Sequence, residues 1–117
     1  MKRRIADATD GKKGLGDVVS KVFGRAKTYT IVEADNEKII SVSVVENPAL
    51  SYSHGAGPIA IKTLIDDGVE MVVANELGIG ASEILEQHNI GYIKAKPGIK
   101  VEEIIKKVFF SHKRKLS

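Results

Sequence analysis

The spacing of apolar and polar positions along this chain changes several times, and each change marks an element. Arg4-Ile5-Ala6-Asp7-Ala8-Thr9 reads as a first strand that ends at Asp10-Gly11. Residues 10–16, DGKKGLG, read as a glycine-rich loop. Asp17 is placed to cap a short helix with apolar positions Val18, Val19, Val22 and Phe23, and Gly24 suits the left-handed position that would end it. Thr28 to Ala34 is rich in β-branched and aromatic residues and predicts a strand. Asp35-Asn36-Glu37-Lys38 is a turn. Ile39 to Glu46 alternates, with Ile40, Val42 and Val44 on one face and Ser41, Ser43 and Val45 on the other. The two strands make a hairpin, and Asn47-Pro48 stops it because proline cannot donate to a ladder.

Residues 47–57, NPALSYSHGAG, show no periodicity and read as a loop. Pro58 suits the first turn of a helix whose stripe is Ile61, Leu64 and Ile65, closed by Gly68. Val69 to Ala74, apolar but for Glu70, has the pattern of a buried parallel strand. Asn75 to Gly80 is a second glycine-bearing turn. Ala81, Ile84, Leu85 and His88 mark the next helix, which ends near Asn89. Gly91 to Lys94 is a last short strand, Pro97-Gly98 turns the chain, and Val101, Ile104, Ile105, Val108 and Phe109 form a final amphipathic helix.

The predicted order is β-α-β-β-α-β-α-β-α. Strands alternating with helices argue an α/β fold, a sheet covered on both faces, with the hairpin supplying one antiparallel strand. Ligands of such sheets sit outside the carboxyl ends of the parallel strands. Residues 8–17, 47–58 and 75–80 are the loops expected to converge there. No repeat or linker divides the chain. One domain is expected over residues 1–110, with a basic tail over 111–117.

Composition narrows the chemistry. The chain has 117 residues, 43% hydrophobic and 28% charged, an ordinary globular balance. It has no Cys, so a disulfide framework, a thiolate metal site and a Cys nucleophile are all excluded. No apolar run approaches the roughly 18 residues of a membrane span. No secretory pattern follows the basic Met1-Lys2-Arg3-Arg4, so a cytoplasmic location away from membranes is expected. The net charge of +3 sits at the ends: residues 1–4 and 106–117 hold eight of the 18 basic groups and none of the 15 acids. The body between them is therefore acidic. The tail reads as a solvated end. Nucleic acid is not the expected partner, because stacking aromatics do not interleave with the basic groups.

The first loop and the helix expected after it carry Lys12, Lys13, Lys21, Arg25 and Lys27. Glycines there free the backbone to turn amides toward an anion. The spacing is not that of a P-loop. Gly11, Lys12, Lys13, Asn75 and Gly78 are the candidate cofactor-binding positions on these loops. His54, in SHGAGP, stands off any apolar helical face, and imidazole is a neutral ligand for iron and other transition metals. His88 reads as a helix-end residue, and His112 belongs to the tail. Asp7, Asp10, Glu33 and Glu76 would suggest Mg²⁺-dependent phosphoryl chemistry if they met, but no spacing brings them together.

RIADATD, FGRA at Phe23 to Ala26, VVENP at Val44 to Pro48, HGAGP at His54 to Pro58, LIDDGVEMVVA at Leu64 to Ala74, the Gly78 turn and the GY strand before Pro97-Gly98 come in an order that resembles one family. It is the dinitrogenase iron–molybdenum cofactor biosynthesis proteins, or nitrogenase accessory factors. The resemblance covers nearly all of residues 3–109. It implies a three-layer α/β/α fold of the ribonuclease H-like type with a mixed five-stranded sheet. It also implies a non-catalytic binding protein that carries or chaperones the iron–molybdenum cofactor or an iron–sulfur cluster precursor, bound transiently, with cluster donor and acceptor proteins as partners. Carried over by position, His54 is the cluster ligand, while Arg25, Gly55 and Gly57 shape the pocket. Relatives often carry His where this chain has Val22, and an apolar residue where it has Asp7. The alternative is a module binding a phosphorylated metabolite or nucleotide through the same loops. A Mg²⁺-dependent nuclease built on Asp7, and a scaffold with no ligand, are further readings.

Overall fold

The computed structural model describes residues 2–116, with side chains described through Phe109. Five strands form one mixed sheet: β1 (Lys2–Thr9), β2 (Thr28–Asp35), β3 (Lys38–Glu46), β4 (Met71–Ala74) and β5 (Gly91–Lys94). Three α-helices accompany it: α1 (Ala56–Asp66), α2 (Ile79–Gln87) and α3 (Val101–Leu116). The expected basic tail over 111–117 lies outside the residues whose side chains are described. The strand order is β3-β2-β1-β4-β5. β2 runs antiparallel to both β1 and β3, while β1, β4 and β5 are mutually parallel. One strand is therefore antiparallel to the rest, as the pattern predicts.

β1 is central, and Ile5 to Thr9 are all buried. Alternate side chains feed two cores. Ala6 and Ala8 join Tyr29, Ile31, Val72, Ala74 and the inward faces of α1 and α2. Ile5 joins Val19, Val32, Val73 and the inward face of α3. The β2–β3 hairpin closes through Asn36 (φ 49°) and Glu37 (φ 74°), two left-handed residues of the kind that matches the twist of a two-residue turn. A bulge opposite Glu33 and Ala34 accommodates Ile40. Arg4 ties the sheet to the end of α1. Its Nε donates to the Asp67 carbonyl at 2.7 Å, while Nη2 and Nη1 pair with Asp67 and Glu33.

The stretch from Asp17 to Phe23 corrects the sequence expectation, since no helix forms there. Gly14–Gly16 is one 3₁₀ turn, and the chain then runs extended, with bridges Thr9↔Val19 and Val18↔Lys100. Val19 is buried on the α3 side and Phe23 on the α1–α2 side. The apolar spacing that imitates a helical stripe marks two anchors on opposite faces of the sheet. Residues 10–27 thus form a strap that crosses the rim at the carboxyl ends of β1 and β4.

Candidate functional site

The strap is stitched to its surroundings by named bonds. Ser20 N–H donates to Ala8 O at 2.8 Å, Val19 N–H to Ile99 O at 2.9 Å, and Phe23 N–H to Glu76 O at 3.1 Å. Asn75 Nδ2 donates to Lys21 O at 3.1 Å. At Gly24 the strap meets the loop after β3. A Cβ on Gly24 would stand 2.9 Å from Gly57 N, so glycine is there for close backbone approach. The residue does not take the left-handed conformation expected of it. Asn47, buried at the end of β3, donates through Nδ2 to Gly24 O (3.0 Å) and Ala26 O (2.8 Å), and its Oδ1 accepts from Ala49 N–H (2.8 Å). Sequence reasoning saw Asn47 only as part of a strand stop. The signal was there: a buried amide is the one neutral side chain that satisfies carbonyls and an N–H together.

His54 lies on this second loop and is exposed. Gly55 follows at φ 73°, a left-handed turn that glycine adopts without penalty, and leads directly into α1. Arg25 reaches across from the strap and donates to Ser53 O at 3.2 Å and to Leu50 O at 3.4 Å. Its guanidinium is thus anchored on the carbonyl of the residue before His54. Gly57 packs on Ala81 of α2, and Gly80 on Pro58. Gly78 begins α2 and is exposed. Val22, Leu50, Tyr52 and Ile79 are large apolar residues left exposed on these loops, Ile79 by 81%.

The structure therefore brings His54, Gly55, Gly57 and Arg25 together, with Asn75 and Gly78 on the adjoining turn. It separates Gly11, Lys12 and Lys13 from them. That turn packs with Leu15 on the α3 side, opposite the helices that carry the His54 loop. Lys12 Nζ pairs with Glu46 at 2.5 Å, and Gly11 O accepts from Thr28 Oγ1. Two of the amides of DGKKGLG, those of Lys13 and Gly16, are engaged within the loop. Lys13 and Val18 N–H donate to the Asp17 carboxylate (3.0 and 2.8 Å), Gly16 N–H to Lys13 O, and Asp17 N–H to Gly14 O. Asp17 caps a loop rather than a helix.

The acids stay apart. Glu33 pairs with Arg4, and Asp10 and Glu76 are exposed. Among the described residues no group of three or more His, Asp or Glu side chains is arranged to hold a metal ion. Asp7 is fully buried in the middle of β1, between Thr30 and Val73, and neither carboxylate oxygen has a hydrogen-bond partner among the described residues. Burial alone pushes its carboxyl well above the usual carboxylate range. Thr9, Thr28 and Thr30 satisfy one another nearby, Thr9 Oγ1 lying 2.7 and 3.0 Å from the other two hydroxyls. Among the described residues no helix is long and apolar enough to cross a membrane.

Comparison with known proteins agrees with this architecture. An uncharacterised Methanocaldococcus jannaschii protein, MJ0580, is 30% identical over 88 residues, 75% of this chain and 74% of that protein. The apo form of the orange protein from Desulfovibrio gigas superposes with a TM-score of 0.84 at 26% identity, over 93% of this chain and 88% of the other. A NifB-like protein from Thermotoga, TM1290, gives 0.72 at 34% identity, over 94% and 88%. The family described as dinitrogenase iron-molybdenum cofactor matches residues 1–110. With that match spanning almost the whole sequence, the chain belongs to the dinitrogenase iron-molybdenum cofactor family.

Proposed function

We propose that this protein is a non-catalytic carrier of an anionic metal–sulfur cluster, the iron–molybdenum cofactor or a precursor of it, held at His54. The observation that carries this reading is an exposed imidazole on a loop whose preceding residue, Ser53, holds the Arg25 guanidinium through its carbonyl. A preassembled cluster needs few protein bonds. One neutral nitrogen ligand and one fixed cation supply coordination and charge balance, and the left-handed Gly55 leaves the approach free of a side chain. The exposed Leu50, Tyr52 and Ile79 give the cargo, or the protein that receives it, an apolar rim. With no Cys, the chain has no thiolates on which to build a cluster, so the cargo arrives complete. The strand order and the single antiparallel strand support a ribonuclease H-like ancestry, while the scattered acids give no support to nuclease chemistry.

The test is anaerobic mixing with isolated iron–molybdenum cofactor followed by gel filtration. Visible absorbance should co-elute with the wild-type protein and fall at least tenfold in His54→Ala. Retention unchanged in His54→Ala refutes the ligand assignment, and no co-elution with the wild type refutes the carrier reading. Stabilisation by phosphorylated metabolites, with none by the cofactor, would favour the alternative ligand class.

A further inference from the structure

A second site lies away from His54. Between α3 and the β4–β5 edge runs an open cleft of about 760 Å³. Among the described residues its apolar lining is aliphatic: Met71, Ile93, Ala95, Ile99, Ile104 and Val108. The rest of that described lining comes from Arg3, Lys94, Lys96 and Lys107, with no acid and no neutral hydrogen-bonding side chain; Lys94, next to Ile93 in β5, projects from the opposite face of the sheet. None of the four cations makes an ion pair with a described residue. The cluster of Arg4, Glu33 and Asp67 lies on the opposite side of β1, since Arg3 shares its face with Ile5.

That lining selects a ligand by chemistry. Sugars and nucleobases are gripped by neutral side-chain donors and acceptors, and none lines the cleft among the described residues. An inorganic anion would leave the aliphatic floor uncovered. A body of methylenes and an anionic head would satisfy both parts, the chain on Ile93, Ile99, Ile104 and Val108 and the head at Arg3 and Lys107. The volume lies within the ~300–1,000 Å³ of small-molecule sites. A partner helix ~10 Å across would exceed it within two turns. We infer that this cleft binds a single-chain aliphatic anion of the fatty-carboxylate class. The site shares no residue with the His54 cluster and stands independently of the carrier reading.

The probe is dodecanoate below its micellar concentration, measured by calorimetry on the full chain, with dodecylammonium as the same tail bearing the opposite charge. Dodecanoate should bind at least tenfold more tightly than dodecylammonium. Shortening the tail by two methylenes should cost about tenfold, the factor expected from burying that much chain. The attraction of the head should weaken as salt rises. The double variant Arg3→Glu/Lys107→Glu should lose at least tenfold for dodecanoate while its far-UV circular dichroism stays native. Equal binding of the two amphiphiles, a flat chain-length series, or binding to phosphatidylglycerol vesicles without binding to monomeric dodecanoate would each overturn the inference. The head-group and tail comparisons use only the wild-type protein, so they decide the matter even if the variant does not fold.

Discussion

Asp7 gives the sharpest test of the physical reading. Its carboxyl is buried at the centre of the sheet with no hydrogen-bond partner among the described residues, and burial raises its pKa well above the ordinary 3.8. In the unfolded chain the same group ionises near pH ~3.9. Between those two values the folded protein holds a proton that the unfolded chain has released. Stability is therefore fully present below the unfolded pKa. It falls as pH rises toward the folded pKa, by up to ~1.4 kcal/mol per pH unit. Asp7→Asn removes the titration and keeps the shape. It also buries two amide donors, a pH-independent cost of ~1–3 kcal/mol. The variant should thus be less stable than wild type near pH ~4, and the difference should shrink as pH rises, at up to ~1.4 kcal/mol per unit. Urea titrations followed by far-UV circular dichroism, run from about pH 4 to about pH 8, give both curves. Parallel curves would refute the reasoning, because they would mean that Asp7 is ionised in the folded protein and has a counter-charge.

Two further substitutions probe the junction beneath His54. Gly24→Ala places a methyl 2.9 Å from the Gly57 backbone and should cost ~1–3 kcal/mol of unfolding free energy through forced separation of strap and loop; thermal denaturation reading no loss would show that the two backbones part freely. Asn47→Ala strips partners from Gly24 O, Ala26 O and Ala49 N–H and should destabilise by ~2–3 kcal/mol, whereas Pro48→Ala at the neighbouring exposed position should change urea midpoints little.

The strands were legible because their signals are local. Met71 to Ala74 is apolar throughout because β4 is buried on both faces, and the hairpin announces itself by alternation around Asn36-Glu37. The strap was not legible. Val18-Val19 and Val22-Phe23 have helical spacing, yet their environments lie on opposite sides of the sheet, and only the finished fold decides which pair faces which core. Gly24 shows the same limit. A glycine that ends a helix and a glycine that admits another backbone look alike until Gly57 is in place. Of the candidate site, His54, Gly55 and Gly57 share one motif and Arg25 stands in another, and only the fold shows that the two segments meet. Lys12 and Lys13 lie apart from them, and a glycine-rich loop with lysines looks the same whether the Lys13 amide is open or spent on Asp17.

The strap has a mechanical consequence for the whole molecule. Eighteen residues with little regular structure would ordinarily fray and tolerate insertions. Here they are fastened to Ala8, Ile99, Glu76 and the chain around Asn47, and they reach both helical layers. Neither layer can peel away without tearing this seam. The amides of Val19, Ser20 and Phe23 should exchange with solvent as slowly as those of the central strands, and the two layers should melt in one concerted event.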